Sequence, residues 1–128
     1  MIRTLIVLAL PLTPIVTACA TMGSSTALLR QGEAAMLGQP VRVGALTATP
    51  LKLVEDSRCP SDTRCIWAGR AMVTTRVDGP DWQEIVDLTL GTPREVHGHS
   101  VELIDVQPPR TTQREAKPDE NRFAYTLR

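Results

Sequence analysis

The densest collection of chemically capable side chains lies between Asp56 and Arg70, D-S-R-C-P-S-D-T-R-C-I-W-A-G-R, which holds two of the three cysteines and one of the two tryptophans. Five residues separate Cys59 from Cys65. Two sulfurs at that spacing can form a disulfide or supply half of a tetrahedral metal site. Metal ligation fails on count: two more ligands are needed, and the only histidines, His97 and His99, are distant in sequence. In an oxidising compartment the pair reads as a disulfide. The chain-entropy model gives about 2 kcal/mol for so short a loop, so its main effect is to fix local shape.

Arg58, Arg64 and Arg70 surround this loop. Their planar donors could hold an anionic group. The preferred reading is that Arg58 or Arg70 pairs with Asp56 or Glu55 and braces the loop. Asp56-Ser57 and Ser61-Asp62 can bond their own following N–H groups, which suits turns flanking Cys59-Pro60. Trp67 is expected to pack against the disulfide and close one end of the domain, whereas an exposed tryptophan there would be an anchor for a partner.

His97-Gly98-His99 places two imidazoles on the same side of a strand, a spacing that can chelate copper or zinc. A glycine-loosened strand or turn with two solvated histidines is the preferred reading. No catalytic constellation emerges. There is no G-x-S-x-G context for an activated nucleophile, and carboxylates such as Glu55, Asp56, Asp62 and Asp87 are scattered rather than paired. The residues call for no enzyme activity and no cofactor.

The elements that must position these residues read as strands. Val41, Val43 and Ala45 alternate with Arg42 and Gly44; Leu51 and Leu53 flank Lys52, with Pro50 marking a bulge or an edge. After the cysteine loop, Ala71, Val73, Thr75 and Val77 face one way. Asp78-Gly79-Pro80-Asp81 supplies turn chemistry, and Trp82, Val86, Leu88 and Leu90 share one face of a returning strand. Glu95 to Val106 reads as another strand with an irregularity near Gly98, and Phe123, Tyr125 and Leu127 alternate at the C-terminus. Pro108 to Asn121, fourteen residues almost without apolar side chains, reads as a solvated loop. Upstream, Glu33 to Leu37 allows at most a short turn or a first strand. The pattern predicts an all-β domain over residues 31–128, a small antiparallel β-sandwich or partly open barrel.

Composition bounds the partners. The 128 residues leave room for one domain, and fourteen basic residues balance fourteen acidic ones. No net field exists to hold a nucleic acid. Four aromatic residues are too few for a stacking platform.

Residues 1–18 carry one early positive charge and then an apolar stretch broken by Pro11 and Pro14, which reads as a secretory signal peptide rather than a membrane-spanning helix. Val16-Thr17-Ala18-Cys19 resembles the lipobox of bacterial lipoproteins. By that resemblance Cys19 becomes a lipidated N-terminus, residues 19–30 form the anchored start and a flexible tether, and the membrane is a partner through the lipid. Lipidation also accounts for the odd cysteine left when Cys59 pairs with Cys65. Ala20 in place of Asp after Cys19 points to the outer rather than the inner membrane.

D-S-R-C-P followed by C-I-W-A-G-R-A, after a strand rich in Val and Leu, resembles a family of small bacterial envelope lipoproteins carrying D-S-R-C-P and C-x-W-x-G blocks. The resemblance spans the chain from about Gln31 onward and implies a lipoprotein with a disulfide-braced β domain facing the periplasm. It brings no activity with it, so no functional residue is carried over. The expected function is a non-catalytic envelope binding module, with Arg58, Trp67 and Arg70 at its contact surface and an envelope protein as a possible partner. The alternative is copper or zinc binding by His97 and His99.

Overall fold

The computed structural model describes residues 10–12, 14–15 and 28–128. Cys19, most of the signal peptide and the tether up to Ala27 lie outside the described residues. Strands β1 (Val41–Val43), β2 (Leu46–Asp56), β3 (Ala71–Asp78) and β4 (Gln83–Thr89) form a four-stranded antiparallel sheet in that order. A second, three-stranded antiparallel sheet contains β5 (Arg94–Val96), β6 (His99–Gln107) and β7 (Arg122–Leu127). The sheets are not closed into a barrel; β1 approaches β7 and β4 approaches β6, giving a small β-sandwich.

Alternation builds the core. Ala71, Val73, Thr75 and Val77 are buried along β3, and Val86 and Leu88 along β4, with Trp82 and Leu90 packed beside them. Phe123 and Tyr125 of β7 are the two largest fully buried side chains. Aliphatic residues surround them, which fits a sequence with so few aromatics. Gly79 is required where the β3–β4 turn folds back: a Cβ there would lie 2.2 Å from the Trp82 indole.

Two expected strands are instead hairpins. Val43 pairs with Leu46, so the chain reverses at Gly44-Ala45 and leaves Ala45 exposed. Gly44 has φ of +60°, the left-handed backbone that a two-residue hairpin turn uses. Val96 pairs with His99 in the same way, splitting the expected Glu95–Val106 strand at His97-Gly98, where φ is +48° and +79°. At Gly44-Ala45 turn geometry overrides an alternation that runs on through Ala45. Pro50 does mark a bulge, as its missing N–H suggested.

Upstream of β1, the chain joins the fold as single bridges. Leu29 bridges Val41, and the fully buried Ala35 bridges Phe123. The molecule consequently has two poles. One carries Leu29, the β1–β2 turn against Leu127, the β3–β4 turn and the His97-Gly98 turn. At the other pole the cysteine loop, residues 57–70, meets the β6–β7 connection.

Candidate functional site

The cysteine loop is tied down residue by residue. Asp56, at the end of β2, holds Arg58 through Nε to Oδ1 at 2.7 Å and Nη2 to Oδ2 at 2.8 Å. From there Arg58 reaches across the sandwich and donates to the carbonyls of Val106, at 2.7 Å, and Pro108, at 3.2 Å. Four of its five N–H donors are spent within the protein, and its side chain is only 17% exposed. Arg58 therefore leaves the set of contact residues: a guanidinium committed this way is a brace between the sheets.

Ser57 and Arg70 close the base of the loop. The Ser57 amide donates to the Arg70 carbonyl at 2.7 Å, and the Arg70 amide donates to Ser57 Oγ at 3.0 Å. Arg70 Nε also donates to Glu55 Oε2 at 2.8 Å, with both side chains substantially exposed. Its terminal nitrogens have no hydrogen-bond partner among the described residues. Gly69 lies against Ser57: its φ is +65°, and a Cβ would sit 1.7 Å from the Ser57 carbonyl oxygen. Only glycine fits both the backbone angle and the approach. One turn higher, the Cys59 amide donates to the Ala68 carbonyl at 3.1 Å, and Cys59 and Cys65 form the expected disulfide.

The β6–β7 connection is mostly exposed, as its composition suggested, and it is also the platform for this loop. Ser61 N donates to the Arg110 carbonyl, and Arg110 Nη1 donates to the Arg58 carbonyl at 2.7 Å. Asp62 accepts from the Thr112 amide at 3.0 Å and the Thr112 hydroxyl at 2.7 Å. These bonds hold the Asp62 carboxyl below its ordinary range. Further along, Arg114 makes a two-pronged pair with Glu120, which also accepts from the Lys117 amide and is itself held low. A groove of about 670 Å³ runs beside the loop, walled by Leu53, Pro60, Pro108 and Pro109 and edged by Arg110 and Asn121.

Trp67 does not pack against the disulfide. It is 68% exposed, and its neighbour Ile66 is 93% exposed. The sequence offers both positions for Trp67, and the structure takes the outward one. Here residues 61–70 are all exposed, the contacts that pin the loop to residues 108–121 are polar, and the indole stays in solvent outside the groove. Ile66 was missed in the sequence, where it stood as the variable residue between Cys65 and Trp67.

The histidines do not share a strand face. His97 occupies the β5–β6 turn, stacks on Trp82 with ring centroids 3.9 Å apart and an interplanar angle of 12°, and sets Nε2 3.1 Å from Glu84 Oε2. His99 begins β6. Among the described residues no three His, Cys, Asp or Glu side chains are grouped to hold a metal ion. The two imidazoles are parted by the turn, and His97 works as a clasp between the two sheets. Comparison with protein-family models, curated proteins and solved structures found no match to this chain.

Proposed function

We propose that the protein is a non-catalytic lipoprotein of the bacterial cell envelope, anchored through Cys19, whose β-sandwich acts as a binding module through the Ile66-Trp67 tip of the cysteine loop. One observation carries this reading. Between Asp56 and Arg70, most polar side chains away from the tip are spent on bracing: Asp56 and Arg58 pair, Ser57 and Gly69 seal the base, Cys59 and Cys65 cross-link, and Asp62 docks on Thr112. Ile66 and Trp67 are held out into solvent on this rigid frame. Presenting large apolar side chains in a fixed geometry lowers the ordering cost of binding, and tryptophan is the residue most often found as an interface anchor. Arg70 and the exposed Arg64 flank the tip with donors for an anionic partner group.

The anchoring half of the proposal rests on the lipobox resemblance and on the resemblance to small envelope lipoproteins carrying the same two blocks. An oxidising envelope compartment also suits the disulfide. The test places a photo-crosslinking amino acid at Ile66 in the intact protein and illuminates cells. Crosslinking at Ile66, absent when the same probe replaces the exposed Ile85 on the outer face of β4, is the expected result. Equal labelling at both positions would remove the tip as the contact surface.

A further inference from the structure

We infer that the Ile66-Trp67 tip docks into the headgroup region of a phospholipid bilayer, an inference that rests on the binding-module reading and names its partner. Size decides between a bilayer and a protein. A tryptophan buries roughly 150–250 Å², whereas a standard protein interface buries roughly 800 Å² on each side. Within the loop nothing extends it: the other residues from Ser57 to Arg70 are Ser, Arg, Cys, Pro, Asp, Thr, Ala and Gly. Two apolar side chains are enough for a second membrane contact in a protein already held at the membrane by a lipid, because the tether keeps the local concentration high.

The chemistry of the tip also fits an interface between lipid and water. Tryptophan concentrates at headgroup depth, with its ring among the upper acyl chains and its N–H toward water. Arg64 is exposed and has no ion pair among the described residues, and Arg70 keeps its terminal nitrogens free, so both can meet phosphates. Asp56 to Arg70 carries three arginines against two aspartates. The loop backbone is only partly paired internally, which restricts the tip to shallow, hydrated depth.

The anchor and the tip can reach one bilayer together. The chain joins the fold at Leu29, toward the pole opposite the tip, and the ten steps from Cys19 to Leu29 span at most about 35 Å, comparable with the length of about 35 Å set by the eleven residues of β2.

Tryptophan fluorescence tests this directly, because the protein has only Trp67 and Trp82. The full lipoprotein is reconstituted into vesicles of phosphatidylethanolamine and phosphatidylglycerol, with and without acyl chains brominated near the headgroup. The expected result is a blue-shifted emission quenched by the brominated lipid, with the quenchable fraction lost in Trp67→Phe, which leaves Trp82 alone, and weakened in Ile66→Ser. Emission of wild type that stays water-like and unquenched, or equal quenching in wild type and Trp67→Phe, would overturn the inference. Water-like emission together with a protein crosslinked at Ile66 would overturn the bilayer and leave the binding module standing. Water-like emission with no crosslink at all would remove both.

Discussion

Arg58 and Arg70 carry the same charge two turns of loop apart, and the structure gives them opposite fates. Arg58 is largely buried and bonded to Asp56, to the Val106 carbonyl of the other sheet and to the Pro108 carbonyl just beyond it; Arg70 shares one donor with a half-exposed Glu55. Removing one partner of a desolvated pair strands the other, whereas an exposed pair contributes little. Arg58→Ala is expected to cost about 2 kcal/mol and Arg70→Ala less than about 1 kcal/mol, read from urea unfolding of each variant. Thr49 supplies a second residue-scale prediction. It is 3% exposed, and its Oγ1 has no hydrogen-bond partner among the described residues. Thr49→Val removes an unsatisfied hydroxyl at nearly constant volume and should raise stability by about 1 kcal/mol, measured in the same assay. The pairing of Asp56 with Arg58 was readable from their types and spacing, whereas Ser57, expected to bond its own following N–H groups, pairs with the Arg70 backbone across the loop. The outward turn of Trp67 was not readable, because its position depends on how a distant segment meets the loop, and residues 108–121 meet it through hydrogen bonds at Ser61 and Asp62.

Among elements, the alternation of β3, β4 and β7 was plain in the sequence because each keeps period two without interruption. The elements that escaped are those where a two-residue hairpin turn interrupts a short apolar run. Val43 pairs with Leu46 and Val96 with His99, so the inward positions switch from odd to even numbers at Gly44-Ala45 and from even to odd at His97-Gly98, and the exposed Ala45 carries the odd series one step past the turn. Bulges instead leave single residues out of the register. The three residues left out of the pairing register, Leu51, Val54 and Ile104, are all partly exposed aliphatics pushed out of the core alternation. The junction of the cysteine loop with the β6–β7 connection gives an element-scale prediction. Hydrogen bonds from Thr112 lower the Asp62 pKa in the folded state, so this contact stabilises above the unfolded carboxyl range and is lost as the pH falls through the folded value, below the ordinary 3.8. Amide exchange at Thr112 should accelerate in that acid window. In Asp62→Asn it should be fast already at neutral pH.

Across the whole molecule, the sheets are joined through few polar contacts inside an aliphatic core. Tyr125 Oη lies 3.0 Å from Thr75 Oγ1 between the sheets, both residues fully buried. Burial raises the Tyr125 phenol well above its ordinary 10.0, with the Thr75 bond opposing only in part. The group is neutral when folded and ionises first when unfolded. Its contribution is thus intact below pH 10 and declines as the pH rises from there toward the folded value. Since this is the only tyrosine, unfolding free energy should fall above pH 10 in wild type and fall less in Tyr125→Phe, by denaturant titration at stepped pH. The Glu102–Arg128 pair and the stack of Trp82 on His97 add further ties away from the cysteine loop. With stability held there, the opposite pole can expose its apolar tip without weakening the fold.

The central claim is that Trp67 serves contact and not folding, and the measurement closest to it is the unfolding free energy of Trp67→Ala beside that of Arg58→Ala. The account predicts that Trp67→Ala lies within about 0.5 kcal/mol of wild type while crosslinking from Ile66 is lost. A loss of stability from Trp67→Ala as large as that from Arg58→Ala would contradict it.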